Sequence, residues 1–468
     1  MRTFSASRSP RLVVAATLAL VVAACGSAAP PATIAPSPSA AAASAAAAAS
    51  AAPSASAPAP ASAAATTSPA ACGTYAGPPA TITYAMWGDT TELANQQKIV
   101  DAFTKLNPSI TVKVSVADWD SYWPKLQVDL AAGNAPDVFL MDGPLYPDYQ
   151  TRDQLLDLTS YIARDGFDVS QLVDLAVQDF RAADGHLYGL PRDLNTIALF
   201  YNKTMFDAAG LSYPDATWDW NKLVEVATKL TKTSGGKTSQ WGFYTETTDM
   251  ENYWSSAVWQ AGGDILSPDK KTVVIDSAQA AAGIQFLQDL IYKDKVMAQP
   301  VAGGSSGDLF ENGQAAMEAN GSWLVPTHEA AGLSFGVAPL PKGPAGQATS
   351  VNPSGVVVYK GSKSPDAAWE FIKCYTGPQL QAMIASLKAS MPANKQVLTG
   401  QYATSFEGGK TFADALAYAH LKPSFAGYNE FTSALQDELD TKVFNDKTLT
   451  AKAALDEVTP ALQKLLGK

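Results

Sequence analysis

The sequence is poor in cysteine and histidine, with three of each in 468 residues. His186, His328 and His420 are isolated, and with so few cysteines they compose no metal-ligand cluster. Neither a metal nor another cofactor is expected. Positive charge is also scarce: 33 Lys and Arg stand against 44 Asp and Glu, for a net charge of −11. There is no Lys/Arg run, so nucleic acid is excluded as an expected partner. No G-x-x-x-x-G-K phosphate loop occurs, so an ATPase would have to be another chain. Apart from Leu12–Ala24, long apolar runs are missing, and that one has 13 residues where a bilayer needs about 20. Residues 26–71 contain no charged residue and one large apolar side chain, Ile34. Such a segment buries too little apolar surface to offset its ordering entropy.

Arg2, Arg8 and Arg11, then the short apolar run, then small residues describe a secretory signal. Its end, Val22-Ala23-Ala24-Cys25, resembles the bacterial lipobox. That resemblance implies cleavage before Cys25, lipidation of its thiol, and an extracytoplasmic protein held to the cell membrane, on the outer face or the periplasmic side. Residues 1–24 are read as the signal peptide and 25–71 as the lipid-anchor cysteine and a disordered Ala/Pro/Ser tether, about 40 Å across as a loose coil. With Cys25 lipidated, Cys72 and Cys374 remain. Outside the cytoplasm a disulfide between them is favoured over two free thiols.

The folded body, from about Cys72 to Lys468, holds all ten tryptophans. Without the three leader arginines its net charge is −14. Its length exceeds what one core usually supports, so two lobes are expected. The first hundred residues of the body alternate strand and helix. Thr81–Met86 reads as a strand, followed by a helix capped by Thr90 or Thr91 and stopped at Asn107-Pro108. Ile110–Val116 is a strand, Trp119–Ala132 an amphipathic helix and Asp137–Met141 a buried strand. The alternation predicts a mainly parallel sheet in an α/β fold. Ligands of such sheets bind beyond the carboxyl ends of the strands. Two of these ends carry Trp87-Gly88-Asp89 and Asp142-Gly143, which serve equally well as helix caps and core aromatics.

The middle of the chain is aromatic. Trp218-Asp219-Trp220 precedes a helix from Asn221 to Leu230, and Trp241, Phe243, Tyr244, Tyr253, Trp254 and Trp259 follow. Glu246, Asp249, Glu251 and Asn252 are interspersed with them. Aromatic plates beside carboxylates suit sugars, whose CH faces stack and whose hydroxyls seek charged acceptors.

Several segments, in order, resemble the extracellular solute-binding proteins of bacterial ABC importers, the carbohydrate-binding family that includes the maltose binders. They are Ala132-Gly133-Asn134-Ala135-Pro136-Asp137-Val138, Tyr188-Gly189-Leu190-Pro191 with Ala198-Leu199-Phe200-Tyr201-Asn202-Lys203, and Thr217-Trp218-Asp219-Trp220. Phe310-Glu311-Asn312-Gly313-Gln314-Ala315-Ala316-Met317, Asn320-Gly321-Ser322-Trp323 and Ser364-Pro365-Asp366-Ala367-Ala368-Trp369-Glu370-Phe371-Ile372 complete the set.

The resemblance implies two α/β lobes, joined by crossover strands, with a ligand cleft between them. Lobe one is expected at 78–195 plus 353–392, and lobe two at 196–340 plus 393–468, with crossings near Asn195–Tyr201, Pro339–Pro353 and Met391–Gln396. Cys72 and Cys374 then fall on the same lobe. Trp87, Asp89 and Asp142 match strand-end ligand contacts, and Asn195 stands at a crossover position where the maltose binder has a Glu. Glu251 and Tyr253 match a sugar-embracing pair, and Trp323 a stacking Trp. Tyr428 or Phe431 stands for a late stacking Trp. Trp119 and Trp254 are further candidate contacts. Arg192 sits at the expected cleft edge, where an ion pair with Asp193 is the alternative role. The implied function is a non-enzymatic, monomeric receptor that captures a neutral mono- or oligosaccharide and delivers it to ABC transporter membrane subunits. The competing readings are a non-sugar ligand, a surface sensor, and, least favoured, a glycosidase using Asp142 and Glu251.

Overall fold

The computed structural model describes residues 72–247, 250–300 and 307–466. The signal peptide, Cys25 and the tether expected from the sequence lie outside the described residues. No helix among the described residues is long and apolar enough to cross a membrane.

Eleven strands organise the described body. They are β1 (Ala80–Trp87), β2 (Ile110–Ala117), β3 (Val138–Asp142), β4 (Gly189–Asn202), β5 (Lys232–Ser234), β6 (Lys237–Gln240), β7 (Met317–Gly321), β8 (Phe335–Ala338), β9 (Thr349–Val358), β10 (Met391–Pro392) and β11 (Ala419–Leu421). Helix α1 (Thr90–Leu106) links β1 to β2, and α2 (Trp119–Ala131) links β2 to β3. The expected elements recur within a residue or two. The first cap differs: the Asp89 side chain, not a threonine, accepts from the Glu92 N–H at 2.8 Å.

β5 and β6 form a separate hairpin, and the other nine strands form one curled sheet. β1 runs parallel to β2 and β3, as expected. The sheet is nevertheless mixed rather than mainly parallel. β9 runs antiparallel to β3 and β4, and β4 runs antiparallel to β7, β8 and β10. The reason lies in the long strand β4, which passes between two groups of strands. Its first part, Gly189–Thr196, pairs with β9, and from Ile197 to Asn202 it pairs with β7 and β8 instead. A 14-residue strand shared in this way is a crossover, and the body is a two-lobed α/β fold with its cleft beside the crossing strands.

The strand period of two sorts side chains onto the two faces of the sheet. Phe139 and Met141 of β3, with Ile197, Leu199 and Tyr201 of β4, enter one apolar cluster. Val138, Leu140, Leu194, Ala198 and Phe200 enter the other. Each cluster therefore gathers the side chains of one face of the sheet. Cys72 and Cys374 form a disulfide with a Cα–Cα distance of 4.6 Å, pinning the start of the body to the helix Pro365–Tyr375. Glu370 lies beside these sulfurs, but they are bonded to each other rather than offered to a metal.

Candidate functional site

Two cavities open beside the crossover strands. The larger, of about 630 Å³, is bordered by Trp87, Asp89, Arg192, Asn195 and Trp323. The smaller, of about 390 Å³, is bordered by Trp119, Asp142, Glu251, Lys422 and Tyr428. Nine of the eleven candidate contacts thus line one or the other.

Trp87 ends β1 in an aromatic group. Its ring centroid lies 5.1 Å from that of Trp119, 5.6 Å from Tyr122 and 5.5 Å from Trp123. Trp119 is 41% exposed, so its ring is open to a ligand in a way that few large apolar side chains here are. Trp323 follows the end of β7, and its ring is laid over Gly321. A Cβ added at Gly321 would lie 2.1 Å from the Trp323 ring, so only glycine permits this approach. One residue before the tryptophan, the Ser322 hydroxyl donates to Asn195 Oδ1 at 2.6 Å. Asn195 therefore orients the Trp323 segment as well as facing the cavity.

Asp89 lines the larger cavity while its Oδ1 caps α1. Arg192 is engaged in the ion pair that was its alternative role. Its Nη1 lies 2.8 Å from Asp193 Oδ2 and its Nη2 3.3 Å from Glu92 Oε1, and its Nε donates to the Tyr375 hydroxyl at 2.9 Å. Burial opposes the guanidinium charge, but Asp193, Tyr375, Tyr84 and Glu92 outweigh it and hold the group firmly ionised.

Around the smaller cavity, the Glu251 carbonyl accepts from the Ser350 hydroxyl at 2.9 Å, which fixes this loop to β9. Asp142 ends β3 and is buried. The Tyr428 hydroxyl reaches Met250 Sδ at 3.7 Å. Phe431, its alternative, is fully buried in the core.

Tyr253 and Trp254 are corrected by the structure. Both belong to the helix Tyr253–Gln260, in which every residue is buried. The Tyr253 hydroxyl donates to Gln260 Oε1 at 3.1 Å, and Trp254 Nε1 donates to Gln436 Oε1 at 3.2 Å. A helix covered on all sides presents no face to a cleft, so the two rings pack the core while Glu251, just before the helix, reaches the cavity.

Sequence reasoning missed Lys422, which is 5% exposed and whose Nζ stands 3.7 Å from Glu251 Oε1. Nothing in the sequence marks it. It also missed a polar stripe on the helix Tyr428–Leu439. Thr432, Ser433, Gln436 and Asp437 line the smaller cavity together with Asp440 just beyond the helix. Their spacing of three and four residues was a usable signal, because such positions share one helix face. Burial, with the adjacent Asp437 adding and a Gln436 hydrogen bond opposing, pushes the Asp440 carboxyl up to about 6.

Aromatic rings beside carboxylates line both cavities of this two-lobed fold, an arrangement suited to a solute receptor. A family model described as bacterial extracellular solute-binding protein matches residues 87–382, and the chain belongs to that family. A putative binding protein of Brucella abortus is 25% identical over 74% of this chain and 84% of its own length. The maltotriose-binding protein of Pyrococcus abyssi is 26% identical over 72% of each chain. Among solved structures, an ABC substrate-binding protein from Listeria monocytogenes in complex with cycloalternan superposes with a TM-score of 0.76 at 28% identity. That match covers 83% of this chain and 99% of the other.

Proposed function

We propose that this protein is a lipid-anchored receptor that captures a neutral mono- or oligosaccharide and delivers it to the membrane subunits of an ABC importer. The observation that carries the sugar assignment is the lining of the cleft. Trp87, Trp119, Trp323 and Tyr428 supply ring faces, and Asp89, Asp142 and Glu251 supply charged acceptors, in two cavities whose bordering rings Trp87 and Trp119 lie 5.1 Å apart. A relative named for maltotriose and a solved structure holding cycloalternan support the same class of ligand. No covalent step is required. Ligand bridging the lobes shifts the population toward the closed form, which a transporter distinguishes from the open one. The lobes are assigned as 78–195 plus 353–392 and 196–340 plus 393–468. The change of β4 partners between Thr196 and Ile197 supports the first boundary. Cys25 carries the lipid, and the segment after it is the leash that keeps the receptor near its importer.

The test is a thermal-shift screen of the body against mono- and oligosaccharides, including maltotriose. A ligand that binds only the folded state stabilises it by about 2.7 kcal/mol at a hundredfold excess over its dissociation constant. A melting temperature raised by one sugar class, and no longer raised in Trp323→Ala, is the expected result. A screen without any shift would overturn the sugar assignment.

A further inference from the structure

Burying an ammonium group is costly unless carboxylates compensate it. Lys422 is such a group. It follows the short strand β11, which pairs with Thr349–Val351 at the start of β9. The chain just after it is tied to the opposite side of the cleft. The Ser424 hydroxyl donates to the Gly143 carbonyl at 3.2 Å, and the Gly427 N–H donates to Asp148 Oδ1 at 3.0 Å. Lys422 is thereby held at the floor of the smaller cavity, 3.7 Å from Glu251 and on the same lining as Asp142.

A third carboxylate lies nearby. Asp179, 7% exposed, ends the helix Asp174–Asp179 and presses against Gly143, where an added Cβ would overlap its Oδ2. Gly143 is also the residue whose carbonyl accepts from Ser424, two positions after Lys422, so Asp179 and the Lys422 segment both meet the turn that follows β3.

We propose that Lys422 is a positioning residue of the ligand site, whose ammonium fixes Glu251 and Asp179, from opposite sides of the cleft, around the floor that Asp142 shares. The inference deepens the sugar assignment and rests on it. Sugar hydroxyls donate to carboxylates, and a carboxylate already oriented by a fixed cation loses less freedom when it accepts them.

Two readouts separate this role from simple packing. In ligand-free protein, the Asp179 carboxyl is followed by carbon-13 NMR, with Asp179→Asn giving the assignment. Burial pushes this group up to about 7, and Lys422, then Lys270, draws it back. Lys422→Met should move its titration upward, while Lys422→Arg should leave it near the wild-type position. In the second readout, calorimetric affinity for maltotriose should fall about tenfold or more in Lys422→Met, the loss of one charge-assisted contact, and recover largely in Lys422→Arg. An unmoved Asp179 titration, or an unchanged affinity, in Lys422→Met overturns the proposal. If Lys422→Met does not fold, Lys422→Gln is read in the same way. Wild-type protein that binds no sugar refutes the sugar assignment and the ligand half of this inference. The Asp179 titration, which needs no sugar, then still decides whether Lys422 organises the carboxylates.

Discussion

Arg192 shows how a residue at a cavity edge can belong to the scaffold. Its guanidinium joins β4 to α1 through Glu92 and to the helix Pro365–Tyr375 through the Tyr375 hydroxyl, which in turn donates to Gln96 Oε1 at 2.6 Å. Arg192→Met would leave Asp193 buried beside no cation. Loss of one partner of a buried pair costs about 3 kcal/mol or more, so urea unfolding should show a clear drop in midpoint. A principal role in ligand contact would instead leave the midpoint in place and weaken sugar binding. At this scale the sequence reading held both roles of Arg192. Trp87 and Trp323, which the family resemblance named, and Trp119 all border the cavities. The sequence reading misplaced Tyr253 and Trp254, because adjacent aromatic residues look alike in sequence whether they face a cleft or a core.

Among the elements, the alternation of strand and helix from Ala80 to Asp142 was legible because each segment satisfies its own period and stop signals. The crossing of β4 between two groups of partners was not, because pairing over more than a hundred residues leaves no local pattern. The disulfide belongs to this scale too. It closes a separation of 302 residues and fastens the segment before β1 to the helix Pro365–Tyr375. The Tyr75 N–H adds a bond to Asn107 Oδ1 at 2.7 Å, at the end of α1. Replacing both cysteines by serine should lower stability by about 2–4 kcal/mol, read as a fall in melting temperature. Reductant should reproduce that fall in the wild-type protein and leave the double variant unchanged.

In the molecule as a whole, alternate residues of the curled sheet's strands enter two different apolar clusters. A charge buried against this sheet is coupled to the stability of the folded body. Asp179 is the clearest case, with its folded-state carboxyl at about 7 and an ordinary aspartate near 3.9 in the unfolded chain. Between those values the folded state holds the extra proton. The stability this supplies is fully present below the unfolded value and is lost as pH rises through about 7. Asp179→Asn removes that dependence. Its melting temperature relative to wild type should therefore improve from pH about 5 to pH about 8. A constant difference across that range would show that Asp179 ionises at its ordinary value.

The sequence by itself determined the early strands and helices and, through short ordered segments, membership in a solute-binding family. Those properties are carried by local periods, caps and short ordered segments, which need no knowledge of distant partners. Only the tertiary structure decided that the sheet is mixed, that Tyr253 and Trp254 are core, and that Lys422 meets Glu251 on the cleft floor. Each of those depends on which face of an element is covered by a segment far away in the chain. Burial and charge pairing are properties of the packed whole, and no window of sequence contains both partners.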